Sequence, residues 1–174
     1  MIVKFSKQDL SECKQAASLR WQLARAANVA NQRQDNKRTD QDIDYLGIKG
    51  ELAVAKVFQI DHDIHKGGID PNIDMWCCDT SIDVKTTFTQ GGHLLFKNKD
   101  AFKADVAILV TALNDSEDMY VSGWCTRKEF IENAPIVYLG QKGSPAFHCT
   151  ELRKIEELWK FLTMKRVQNL PNKI

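Results

Sequence analysis

The chain has 174 residues, with 24 Lys and Arg against 23 Asp and Glu, 43% apolar and 27% charged. A chain of this size fits one domain and buries roughly 70% of its unfolded surface, enough for a core without disulfides or structural metal, and its composition excludes whole-chain disorder. No window approaches 18 uninterrupted apolar residues, which excludes a membrane-spanning helix, and the first ten residues (MIVKFSKQDL) lack the apolar core of a signal peptide, so secretion is not expected.

In chain order, residues 7–30 read as a helix, with Leu10, Cys13, Ala17, Trp21, Ala24 and Ala27 at three-to-four spacing and Ser6 or Ser11 as its cap. Residues 31–41 (NQRQDNKRTDQ) have no apolar member and read as an exposed, mobile loop. A second helix is expected over 42–59, then a polar stretch through His65, Gly67, Gly68 and Pro71. Short strands come next, at 72–76, 81–88 and 93–96. The apolar run 104–112 suits a strand buried on both faces. After it are a strand at 119–125, a short helix at 127–133, a strand at 136–139 and a Gly-rich turn. A helix over 150–166, with Thr150 as cap and Leu152, Ile155, Leu158, Trp159 and Leu162 on one face, closes the chain. This order predicts an α/β fold, a mixed central sheet flanked by helices.

Five cysteines, an odd number with no C-x-x-C pair, argue against zinc and against a disulfide framework and point to a reducing, cytoplasmic compartment. Charge is uneven. Residues 1–50 carry nine basic and six acidic groups, residues 51–83 two basic and seven acidic, and residues 145–174 six basic and three acidic. An acidic centre suits divalent cations and basic flanks suit a polyanion, although such swings are also common on solvated surfaces.

On the second helix, Lys49 and Lys56 are seven apart and mark an outer face. Glu51 lies about 200° round from Lys49. Its neighbours at three and four positions, Gly47, Ile48, Val54 and Ala55, are small or apolar, so Glu51 points inward, where a carboxylate needs a partner unless its head reaches water. On the strand 81–88, Ile82, Val84, Thr86 and Phe88 share one face and Asp83, Lys85 and Thr87 the other. Asp83 and Lys85 are then roughly 6–7 Å apart. A turn at Cys78, Asp79 and Thr80 folds Asp74 back towards Asp83. Taken alone, Asp83-x-Lys85 is an ordinary surface ion pair. Together with Glu51 and Asp74 it describes converging carboxylates that need a cation, and hard oxygens select Mg²⁺ or Mn²⁺. Carboxylates, a divalent ion and a lysine suit phosphodiester hydrolysis.

The pattern Gly47-x-x-Gly50-Glu51-x-Ala53, then Asn72-Ile73-Asp74, then Ile82-Asp83-Val84-Lys85-Thr86 resembles the PD-(D/E)XK nuclease superfamily, over residues 42–125. The apolar strand 104–112 and the strand at Tyr120-Val121-Ser122-Gly123-Trp124 are similar to the strands found after the motif in many members. The Pro-Asp dipeptide is missing, since Pro71 lies three residues before Asp74, which leaves Asp70 and Asp79 as alternatives to Asp74. The resemblance implies a restriction-endonuclease-like core with an added N-terminal helix. Residues 1–41 would form that helix and its loop, 42–125 the catalytic core and 126–174 a helical end, all in one domain. It also implies that Asp74 and Asp83 hold the metal with the Val84 carbonyl, that Glu51 binds the metal or its water, and that Lys85 stands by the attacking water. The substrate is expected to be DNA, cut by a structure-selective enzyme such as a Holliday-junction resolvase or by a repair nuclease. Many proteins of this architecture pair as homodimers to cut both strands.

Arg20, Arg25, Arg33, Lys37 and Arg38 run along the first helix and polar loop and are candidate phosphate contacts, with Gln90 beside the Gly91-Gly92 turn. The competing view of these cations is a solvated surface. His62 and His65 are expected to be solvent-exposed, and His93 to be a loop histidine. Trp21, Trp76, Trp124 and Trp159 could stack bases, but each sits in an apolar pattern and is read as core. Rival functions are a non-catalytic nucleic-acid-binding protein keeping the fold, an RNA-directed nuclease, and a metal enzyme acting on a small phosphoester.

Overall fold

A computed structural model describes residues 1–27, 38–65, 73–114, 116–139 and 143–168. Ser6 caps α1 (Lys7–Ala26) by accepting from the Asp9 N–H, while the Asp9 carboxylate accepts from the Ser6 backbone. Thr39 and Asp42 form the same reciprocal cap on α2 (Asp40–Phe58), so this helix starts two residues before the position expected from periodicity. Apolar positions on α1 meet α2 and the segment after it: Cys13, Ala16 and Ala17 pack with Ile48 and Ile64. Residues 28–30 of the first expected helix, and most of the expected polar loop, lie outside the described residues.

The main sheet has the order β1-β6-β5-β3-β2, from β1 (Ile2–Val3), β2 (Met75–Cys77), β3 (Thr80–Thr87), β5 (Val106–Ala112) and β6 (Met119–Thr126). β3 and β5 are parallel, and the other pairs are antiparallel, so the sheet is mixed as expected. β2 and β3 form a hairpin through Cys78 and Asp79, both at positive φ, as a tight two-residue turn requires. One face of the sheet buries Ile82, Val84, Val106, Ile108 and Trp124 against α2 and α4 (Ile155–Gln168). The other buries Ala107, Leu109 and Cys125 against Phe96, Phe102, Phe147 and, from α3 (Arg127–Asn133), Phe130. A second sheet covers part of this face, with β8 (Gly143–His148) between β4 (His93–Leu95) and β7 (Ile136–Tyr138). The α/β class therefore holds, but only one face is roofed mainly by long helices.

Two elements depart from expectation. β8 occupies part of what reads as a turn: Gly143 and Pro145 disfavour a strand, yet pairing on both sides overrides them, and Pro145 offers its carbonyl to the Phe96 N–H. The last helix starts at 155, not 150, and Thr150 does not cap it. Residues 149–151 make one 3-10 turn, and Arg153 then exchanges backbone hydrogen bonds with Trp124 (3.1 and 2.9 Å), which holds the chain extended.

The close seat of α2 on β3 positions the site. A Cβ on Gly50 would stand 2.1 Å from Thr86 Cγ2, so the helix backbone reaches the sheet only because residue 50 is glycine. Among the described residues no helix is long and apolar enough to cross a membrane.

Candidate functional site

Glu51 follows Gly50, which seats α2 on β3, and is buried as expected. Both of its oxygens are occupied. Arg20 from α1 donates Nη1 to Oε1 at 2.9 Å and Nη2 to Oε2 at 3.2 Å, a bidentate pair, and His62 Nε2 stands 3.2 Å from Oε2. Burial pushes this carboxyl up, but the hydrogen bonds from His62 and Arg20 and the guanidinium charge outweigh it and hold Glu51 below the usual range. His62 is thus a second clamp on Glu51 instead of the exposed side chain expected. Its position follows from Gln59, which ends α2 at φ 52° and turns the chain back along the helix. His65 is exposed, as expected.

Asp74 and Asp83 face each other across the start of the hairpin. Asp74 Oδ2 accepts the Val84 N–H at 2.6 Å. Asp83 is 0% exposed; its Oδ1 accepts Lys85 Nζ at 2.5 Å and its Oδ2 receives no donor. The two carboxyls lie within hydrogen-bond reach of one another. Neither can donate when both are ionised, so this contact is a hydrogen bond only if the pair carries a proton. Burial, then the charges of Glu51 and Asp83, push Asp74 up to about 7. Burial also raises Asp83, with Glu51 adding to it, and Lys85 offsets only part of the rise. Lys85 stands on the Asp83 face as the alternation predicts, 35% exposed, with Nζ 5.1 Å from the centre of the Phe96 ring. Val84 gives its N–H to Asp74 and its side chain to the core.

The sequence-predicted residues thus separate into two groups. Asp74, Asp83 and Lys85 come together directly. Glu51 stands near enough for its charge to act on both aspartates, but its oxygens are bound elsewhere. Of the alternatives to Asp74, Asp79 is exposed in the hairpin turn and Asp70 lies outside the described residues. Among the described residues no group of three or more His, Cys, Asp or Glu side chains is disposed to hold a metal. A divalent ion fits the donors in a more limited way. Two facing carboxylates, one with an orphaned buried oxygen, match the one or two carboxylates with which Mg²⁺ is commonly held while it keeps water.

The candidate phosphate contacts are dispersed. Arg20 is committed to Glu51. Arg25 bonds Asp40 at 2.7 Å and remains largely exposed, and the Arg38 guanidinium lies 3.7 Å over the Phe88 ring. Gln90 donates to the Ala112 carbonyl at 3.0 Å. Arg33 and Lys37 lie outside the described residues. Lys49 is not on an outer face: it is buried, its Nζ 2.5 Å from Glu117 and flanked by Tyr45 and Phe5. Of the tryptophans only Trp124 is fully buried; Trp76 and Trp159 are exposed and Trp21 is half-buried, which corrects the reading of all four as core. His93 is half-buried, edge-on to His148 at 5.0 Å.

No curated protein and no solved structure matches the chain. A family model described as a family of unknown function (DUF5843) matches residues 3–120, a span that includes α1, α2, the hairpin and all four candidate residues. The chain belongs to that family.

Proposed function

We propose that this chain is a metal-dependent nuclease that hydrolyses DNA phosphodiester bonds, a structure-selective or repair-type endonuclease with a restriction-endonuclease-like core, acting in the cytoplasm. The observation that carries the reading is the Asp74–Asp83 pair: a fully buried and a half-buried carboxylate against each other, an oxygen with no donor, and a lysine amine 2.5 Å away. Asp74 and Asp83, with the Val84 carbonyl, would hold Mg²⁺ or Mn²⁺. When bound, the ion supplies Lewis-acid polarisation of a phosphoryl oxygen and acidification of water.

The chain's own groups do the rest. Lys85, anchored by Asp83 yet open to solvent, orients the attacking water and stabilises charge growing on the phosphate. Asp83 holds that amine in place. Glu51, kept ionised by Arg20 and His62, adds negative charge that favours a cation between the aspartates. Arg25, Arg38 and Gln90 are phosphate contacts, and Arg33 and Lys37, which lie outside the described residues, are further candidates from the sequence. The preference for DNA over RNA comes from the superfamily resemblance.

One observation favours a second reading, a nucleic-acid-binding protein that keeps the architecture without catalysis: both Glu51 oxygens are already satisfied within the protein. A single panel separates the two. Linear, nicked, branched and single-stranded DNA, with matched RNA, are incubated with Mg²⁺, Mn²⁺ or EDTA. The nuclease reading expects cleavage that EDTA and Asp83→Asn both abolish. Binding without cleavage in either metal selects the second reading, and cleavage of RNA alone reassigns the substrate. Sedimentation with and without DNA tests pairing into a homodimer.

A further inference from the structure

Trp76 is 59% exposed, on β2 at the edge of the main sheet. Of its two neighbours on the strand, Met75 is 4% exposed and Cys77 is half-buried, and both pack against the core. Directly opposite Trp76 across the antiparallel pair is Ser81. Opposed residues share a face, and alternation puts Ser81, Asp83 and Lys85 on one face of β3. Trp76 therefore stands on the face that carries Asp83 and Lys85, displaced along the strand from Asp83 by roughly 7 Å.

An indole left in water on an otherwise packed strand forgoes a large hydrophobic gain. The same face carries Asp83 and its ion-paired Lys85, so a nucleic acid brought to that pair passes the indole. Lys85 lies over Phe96, and the next residue, Lys97, is exposed. Lys103 is exposed two residues before Asp105, whose N–H donates to the Ser81 carbonyl at 3.1 Å. The Asp105 carboxylate is itself balanced by Lys165 at 3.2 Å and by Ser81.

We infer that Trp76 stacks on an unpaired nucleobase, and that the substrate is a nucleic acid with at least one unpaired nucleotide beside the bond to be cut. The faces of paired bases inside a continuous duplex are covered by their neighbours, whereas a single strand, flap or branch offers a free face to an indole. This inference rests on the nuclease reading and narrows its substrate.

The test is binding of the full chain in EDTA, by fluorescence anisotropy, to a labelled continuous duplex and to the same duplex carrying an unpaired flap. Trp76→Ala is expected to weaken flap binding roughly 5- to 150-fold, the worth of one stacked base, with duplex binding unchanged and Trp76→Phe restoring most of the loss. Equal flap affinity of Trp76→Ala and wild type, or an equal loss on both substrates, overturns the inference. So does a loss of self-association in sedimentation without a change in flap binding, which would make Trp76 a protein contact. Wild type that binds no nucleic acid removes the nuclease reading as well. Wild type that cleaves flaps while Trp76→Ala matches it removes the stacking role alone.

Discussion

Glu51 and Asp83 are both buried acids at the same end of the molecule, but the protein treats them oppositely. Glu51 receives a bidentate arginine and a histidine, and its carboxyl is held below the usual range. Asp83 receives one lysine, faces a second aspartate and keeps an oxygen without a donor, and its carboxyl is raised. The helix-side acid is completed by the fold; the strand-side pair is left incomplete. A buried acid that is fully partnered supports structure, whereas a pair that repels itself is tolerated where something else is to be bound.

The contrast can be broken at several points. Lys85→Ala should show the largest effect. Cleavage is expected to fall by at least about 100-fold while nucleic-acid binding survives, measured by turnover and anisotropy on one preparation. Near-normal turnover would remove Lys85 from the chemistry. Next, Glu51→Ala strands Arg20 and His62. Arg20 is 32% exposed and partly rescued by water, so a loss of about 2 kcal/mol is expected, a fall in melting temperature of roughly 4–8 °C. Asp83→Asn should leave the melting temperature unchanged or raise it, because it removes a repelling charge. Equal losses in the two variants would erase the distinction between them.

The smallest effect is on pH dependence. A carboxyl raised in the folded state binds its proton more tightly folded than unfolded. The contribution of Asp74 is therefore full below the unfolded value near 4 and is lost as pH rises through about 7. Glu51, held low, works the other way: its contribution is present above the unfolded value and is lost as pH falls through the folded one. In EDTA the melting temperature should peak in the mildly acidic range and decline towards pH 8, and Mn²⁺ should remove that decline. A melting temperature that climbs steadily from pH 5 to 8 in EDTA would contradict the raised pair.

Much of this site was legible in the sequence because it depends on local periodicity. The small and apolar neighbours of Glu51 gave its inward direction, and strand alternation put Asp83 and Lys85 on one face. Other features depend on chain segments distant in sequence. His62 reaches Glu51 only because α2 ends in a left-handed residue, which no spacing announces. Lys49 looked external by its seven-residue relation to Lys56, but Glu117, from the segment before β6, folds over it. Trp76 looked like core because an apolar neighbourhood does not tell an edge strand from a central one. β8 was hidden by Pro145, which a strand tolerates here only because both neighbouring strands pair around it.

The central claim is that Asp74 and Asp83 are an incomplete pair that a divalent cation completes. Calorimetric titration of the full chain with Mn²⁺ at neutral pH tests it most directly, with Asp74→Asn and Asp83→Asn alongside. The account predicts saturable binding to the wild type that either substitution abolishes. Titrations that match in all three proteins, or a wild type that takes up no Mg²⁺ or Mn²⁺, would contradict it.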